Sequence, residues 1–351
     1  MTDLHRIGLS TMGAPGAGKS TYLLALCAAL SRGVRDCTLH EADRNADVMV
    51  ADGRRDLGER GRLPEPTDTL PRRHTFVYAR EMRPMAHVHW ADYRGGALPS
   101  FVGPDGSPDA EQLLWDVARA HGIMLVLDGE QFRKPVGPER REAVARETLT
   151  QQMSSVVTDT LTARNREGRP LPSVSIVILK ADVIDWRGTD APRRLTDLVE
   201  ELRDLLPAAF AKRVVTAICP VSVGALEPTA DGGVRPDSVN PTDVHLPVLF
   251  HLACFYLEER KGLDARMEVL AADRAAARRE AAALPPVPGR ATRRAHERIA
   301  LRLQEMDRAE HAMKRWRELC QAEAAAILPM LRYVPIHEGG VLATWAGTGR
   351  G

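Results

Sequence analysis

Gly13-Ala14-Pro15-Gly16-Ala17-Gly18-Lys19-Ser20-Thr21 comes directly after an apolar run that ends at Met12. Glycines at this spacing let consecutive backbone N–H groups turn inward onto an anion, and a helix starting near Lys19 would point its positive end at the same place. The Lys19 amine then reaches the β- and γ-oxygens of a triphosphate, and the Ser20 hydroxyl is offered to Mg²⁺. All nine residues read as a phosphate loop, which by itself chooses neither the base nor the reaction.

Three further groups carry that choice. Asp92-Tyr93-Arg94-Gly95 follows a hydrophobic segment, and a carboxylate there suits a Mg²⁺ already held by Ser20, while the Gly95 N–H suits a γ-phosphate. The bland alternative is a turn with a helix-capping Asp92. Leu179-Lys180-Ala181-Asp182 follows the strongest strand candidate of the chain. Asp182 could accept two hydrogen bonds from guanine, whereas adenine offers no such donor pair, and the Lys180 stem could cover the base. A polar strand end is the alternative. Ser222-Val223-Gly224 means little alone, but in this order along the chain it could place a backbone N–H on guanine O6.

The elements that must position these groups alternate. Strands are predicted at 5–12, 86–91, 122–128, 173–180 and 213–219, several of them continuous apolar runs of the kind buried on both faces of a parallel sheet. Amphipathic helices are predicted at 19–32, 109–120, 138–165, 190–210 and 241–259. The pattern is α/β, a mostly parallel doubly wound sheet flanked by helices, as in P-loop NTPases, with a long C-terminal α-helical hairpin. Residues 43–84 read as a long irregular segment with a weak strand near Thr75–Ala79. Beyond residue 259 the composition turns to Ala, Arg and Glu. Helices at 246–284 and 291–328 flank Leu284-Pro-Pro-Val-Pro-Gly289, which no helix crosses, and each would be about 55 Å long. In the second, an apolar stripe runs from Ala295 through Trp316 and Cys320 to Ile327. The expected division is a nucleotide domain at 1–258, a helical arm at 259–332 and a loose tail at 333–351.

Phosphate loop, Asp-x-x-Gly, Lys-x-Asp and a terminal small-residue loop, in this order, resemble the Ras-like GTPases of the TRAFAC class. The chain looks most like the bacterial double-GTPase branch, which shares Gly-x-x-Pro-x-x-Thr ahead of the Asp-x-x-Gly strand, here Gly61, Pro64 and Thr67. The resemblance covers about residues 5–258. It implies a GTP/GDP switch using Mg²⁺, hydrolysing GTP and signalling to effector or activating proteins within a bacterial multiprotein system of defence or signalling. Carried onto this sequence, Lys19, Thr67 and Gly95 are the catalytic positions, Ser20, Thr67 and Asp92 hold the metal, and Thr69 competes with Thr67. Residues 43–84 become the first switch and 92–108 the second. Two positions depart from the pattern. Leu179 stands where an amide or hydroxyl ties the base loop to the phosphate loop, and Gly96 stands where a glutamine orients the attacking water. Slow hydrolysis is the implication, unless an arginine is supplied in trans or by Arg72, Arg73 or Arg94. A P-loop ATPase or kinase and a non-hydrolysing nucleotide-bound scaffold remain as rivals.

Among the 351 residues, 48 Lys and Arg balance 47 Asp and Glu, so the whole-chain field predicts neither nucleic acid nor an anionic membrane as partner. With no run long enough to span a bilayer and no signal-peptide pattern, the expectation is a cytoplasmic protein, with a homo-oligomer left open. The five cysteines are scattered and read as reduced core thiols. His87 and His89 share a strand face but lack a third ligand, Asp128-Gly129 reads as a turn or helix-cap device, and Trp316 reads as packing.

Overall fold

The computed structural model describes residues 4–64, 72–93, 108–184, 191–230, 232–284 and 289–343. In chain order the elements are β1 (His5–Gly13), α1 (Lys19–Ser31), β2 (Cys37–Glu41), α2 (Arg44–Arg60), β3 (Arg72–Arg80), β4 (Arg83–Asp92) and α3 (Pro108–Arg119). There follow β5 (Gly122–Asp128), α4 (Pro138–Thr148), α5 (Thr150–Arg166), β6 (Ser173–Leu179), α6 (Ala191–Leu205), β7 (Val215–Pro220), β8 (Ser222–Gly224) and β9 (Val239–Thr242). Two long helices, α7 (Leu246–Ala283) and α8 (Arg290–Ile327), precede a short β10 (Ile336–Glu338) and β11 (Val341–Leu342).

One sheet runs β11-β10-β7-β6-β5-β1-β4-β3-β2. Its centre, β4-β1-β5-β6-β7, is parallel throughout, and β2, β3, β10 and β11 extend it by antiparallel pairing. The continuous apolar runs of β5 and β6 are buried on both faces. Ile123, Leu125, Leu127, Ile176 and Ile178 form one core cluster with Leu113 and Val117 of α3, Val157 of α5 and Leu202 of α6. Helices covering a parallel sheet in this strand order form a P-loop NTPase architecture.

Four expectations change. Residues 43–84 are not wholly irregular, because α2 and β3 lie inside them. Asp43 caps α2 through bonds from the Asn45 and Ala46 N–H groups, both 2.9 Å, and only Val50 and Leu57 of the helix are buried, so it carries almost no apolar period. The strand Cys37–Glu41 is too short to announce itself. The single helix expected at 138–165 breaks at Leu149, whose φ of 58° ends α4 before α5 begins. The tail is not loose from residue 333, since Ile336 pairs with Ala217 and extends the sheet.

The chain divides into two compact units, Met1–His251 with Met330–Gly351, and Leu252–Pro329. Within the second, α7 and α8 run antiparallel. Arg274 bridges Asp307 at 2.9 Å and Glu310, Arg317 pairs with Asp264, and the Trp316 indole donates to Glu259 at 3.3 Å. Trp316 also meets the Tyr256 ring edge-on at 6.2 Å, so its role is internal packing. Cys27, Cys37, Cys219 and Cys320 are buried free thiols and Cys254 is partly so.

His251 in α7 is enclosed between the Ser173 and Ser175 hydroxyls of β6, at 2.7 and 2.9 Å. Burial pushes its imidazole down from 6.5 to about 3. The ring is therefore neutral in the folded chain, while the unfolded chain takes up a proton below its ordinary value. This stability is complete above pH 6.5 and is lost as the pH falls toward 3. Relative to His251→Asn, the wild-type unfolding free energy should fall by about 2 kcal/mol between roughly pH 6.5 and 5, measured by denaturant titration. A pH-independent difference would refute this.

Candidate nucleotide site

β1 delivers the chain into the loop at Gly13, whose backbone is pressed against β5; a methyl there would lie 2.6 Å from the Val126 carbonyl. The loop then turns through Ala14, Pro15, Gly16 and Ala17 to Gly18, which stands at the N-terminus of α1 with a φ of 91°, a value L side chains rarely adopt. Gly18 offers no side-chain cap to the helix, leaving first-turn N–H groups available to an anion. Lys19 is 8% exposed, and its amine donates to the Gly13 and Ala14 carbonyls at 3.0 Å each. Desolvation lowers the lysine's affinity for its proton, and the nearby Asp92 charge works against that. Thr21 follows within α1, and the Tyr22 hydroxyl ties the helix to the Val244 carbonyl at 3.0 Å.

Asp92 ends β4 opposite Thr11 of β1 and is 2% exposed. The Ser20 hydroxyl donates to its carboxylate at 3.3 Å. Adjacent oxygens of an octahedral Mg²⁺ shell lie about 3 Å apart, so this hydroxyl–carboxylate pair fits the ion. Next to it, the Tyr93 hydroxyl donates to the Gln112 carbonyl at 3.1 Å and to the Asp116 carboxylate of α3. Arg73 of β3 meets the same carboxylate at 2.8 Å. Arg73 is thus engaged with α3, which weakens its claim as an internal catalytic arginine.

At the end of β6, Leu179 does what no hydrogen-bonding side chain does here: its methyl lies 3.1 Å from the place a Cβ on Gly18 would occupy. The tie between base loop and phosphate loop is therefore an apolar contact. Lys180 turns the chain with a φ of 53° and pairs with Asp128, at the end of β5, at 2.7 Å. Asp128 also accepts the Glu130 N–H at 3.1 Å. It is a cap, as its sequence suggests, and in addition the anchor of Lys180, which the sequence reading missed. The register Asp128↔Leu179 is the signal that places the two loops side by side. Gly129 lets them close, because a methyl there would sit 2.2 Å from the Leu179 carbonyl. Asp182 is exposed and accepts a hydrogen bond from the Ser222 hydroxyl; the Gly224 N–H donates to that hydroxyl at 3.0 Å. The Ala181 N–H bonds the Val221 carbonyl at 3.0 Å, and Val223 is 6% exposed.

Thr67, its rival Thr69, Arg94, Gly95 and Gly96 lie outside the described residues, as do the Arg72 side chain, residues 65–71 of the first switch segment and most of the second. His87 and His89 hold their rings 6.4 Å apart, His89 contacts the Thr75 hydroxyl at 3.2 Å, and among the described residues no cluster of three metal-ligating side chains exists. No helix of the described chain is long and apolar enough to cross a membrane.

No family model and no curated protein matches the chain. Solved structures similar to it include Era in complex with MgGDPNP and nucleotides 1506–1542 of 16S ribosomal RNA, at 15% identity over 73% of this chain and 67% of that one, with a TM-score of 0.31. Another is an Era variant from Aquifex aeolicus bound to GDP·AlF4−, at 14% identity over 74% and 67%, with a TM-score of 0.30. The fold assignment rests instead on the strand order and the loop. The expectation that nucleic acid is not a partner is corrected here, since one of these solved structures is a complex with 16S ribosomal RNA.

Removing the Leu179 side chain would leave a void against Gly18. Leu179→Ala should lower the unfolding free energy by about 2–5 kcal/mol in a denaturant titration. A loss under about 1 kcal/mol would mean that the base loop is held by other contacts.

Proposed function

We propose that the chain binds a guanine nucleoside triphosphate with Mg²⁺, hydrolyses it slowly to GDP and phosphate, and passes the change to a partner protein through its switch segments. The observation that carries the reading is the fastening of the Asp182 loop beside the phosphate loop: Leu179 rests on Gly18, Asp128 anchors Lys180, and Ser222 bonds the Asp182 carboxylate. A carboxylate set there can accept the paired donors of guanine, with Lys180 alongside the base and Ser222 and Val223 closing the far side.

In this reading Gly13 through Thr21 cradle the phosphates, and Lys19 leaves its carbonyl partners to neutralise charge between the β- and γ-phosphates. Ser20 and Asp92 would hold Mg²⁺, joined by Thr67 when a γ-phosphate is present; the ion supplies charge neutralisation across the phosphates. Gly95 would offer its N–H to the γ-phosphate. Tyr93, Asp116 and Arg73 link the Mg²⁺ edge to α3 and β3, a route by which order in the second switch could reach the surface. Gly96 has no side chain to orient water, which favours slow turnover and gives a second reading, a nucleotide-bound scaffold, its foothold. Prolonged single-turnover assays with and without partner proteins separate the two, since a scaffold stays loaded with GTP.

Competition titration of GTP, GDP and ATP, with and without Mg²⁺, tests the base and metal assignments together. GTP and GDP should outcompete ATP, and Asp182→Asn should erase on the order of 10²-fold of that discrimination, about 3 kcal/mol for a charge-assisted donor pair. Unchanged base preference in Asp182→Asn would leave a P-loop ATPase or kinase as the better account.

A further inference from the structure

We propose that the distal part of the α7–α8 hairpin, residues 274–284 and 289–302, binds the phosphate backbone of duplex nucleic acid. The inference stands apart from the nucleotide reading and rests on where the charge lies. Residues 274–302 contain eight arginines, no lysine or aspartate, and two glutamates, Glu280 and Glu297, a net +6 in a chain whose total is +1. The remainder of the molecule is therefore acidic, at −5, and the hairpin end is the basic pole.

The arginines are placed as well as numerous. Arg290, Arg294, Arg298 and Arg302 follow one another at four-residue intervals along α8, a winding stripe about 18 Å long at ~1.5 Å per residue. Duplex DNA presents about ten phosphate charges over that length, one per ~1.7 Å. Arg278, Arg279, Arg290, Arg293, Arg294 and Arg298 are all exposed. Among the described residues none of these six has a carboxylate within ion-pair distance. Arg274 and Arg302, by contrast, pair with Asp307, Glu310 and Glu280, so the cross-helix bridges spare the outermost guanidinium groups. Planar, permanently charged guanidinium is the side chain suited to phosphate oxygens.

Other polyanions fit less well. Lying in a membrane surface needs an exposed apolar helix face, but Ala277 and Ile299 are buried, and Val269 and Leu301 are the exposed large apolar side chains among the described residues of this unit. An acidic protein partner would require apolar or aromatic anchors at the centre of its footprint, and residues 274–302 contain no aromatic residue.

The test is fluorescence anisotropy of the full chain with a labelled random-sequence DNA duplex and the RNA duplex of the same sequence. Six phosphate contacts predict a roughly 10³-fold loss of affinity between about 50 and 200 mM salt. The triple variant Arg290→Gln, Arg294→Gln, Arg298→Gln should bind more weakly and lose only about 40-fold over the same range. The corresponding lysine variant should keep most of the salt dependence, which separates lost charge from a damaged helix. Binding of either duplex with this behaviour supports the proposal, and the two arms identify the form. It is overturned if neither duplex binds at low salt, if the glutamine variant keeps the wild-type slope, or if only phosphatidylserine vesicles bind.

Discussion

Parallel registration of β4, β1, β5 and β6 is the constraint on which the site depends. Thr11 lies beside Asp92, Gly13 beside Val126, and Asp128 beside Leu179. Because these strands run the same way, their C-terminal ends reach one edge of the sheet, where the loops that follow are brought together. A strand reversed anywhere in this set would carry its loop to the opposite edge. Hydrophobic burial on both faces of β5 and β6 holds the register, and the loops then need only short fastenings. These are a methyl against Gly18, one lysine–carboxylate pair, and one hydroxyl–carboxylate bond.

The residues of this edge were legible because their chemistry is local. A phosphate loop is written in contiguous residues, the strand before Lys180 announces itself as a largely apolar run, and the one before Asp92 as an alternation of apolar residues with His87 and His89. The same local logic failed where stability comes from a distance. α2 buries only two side chains, so its helix is set by the Asp43 cap, and a cap without a period is hard to tell from a turn. Leu149 is an ordinary helix former that adopts a left-handed turn, with its partly buried side chain packed against the core cluster. Ile336 lies in a short stretch with no sustained strand pattern, and it pairs with β7 across more than a hundred residues. Asp128 was read as a cap, which it is, but its second partner becomes visible only once β5 and β6 are in register.

Charge shows a comparable loss of information through averaging. A near-zero total conceals a hairpin whose two ends differ in sign content, with the cross-helix bridges gathered where acids are available and bare arginines beyond them. Helical propensity explains how such a segment persists: alanine and arginine are strong helix formers, and the Arg274 and Arg317 bridges fasten the pair at intervals.

The buried thiols have a practical corollary. Cys27 and Cys320 are pushed up to about 12 by desolvation, and Cys219 is raised further by the same cause. Thiolate is the reactive form, so these sulfurs are poor targets for alkylating probes and for peroxide. A single cysteine engineered on the surface would therefore be the preferred site for a spin label or fluorophore. With the partly buried Cys254 replaced, spectroscopy could then follow the molecule with these three thiols in place.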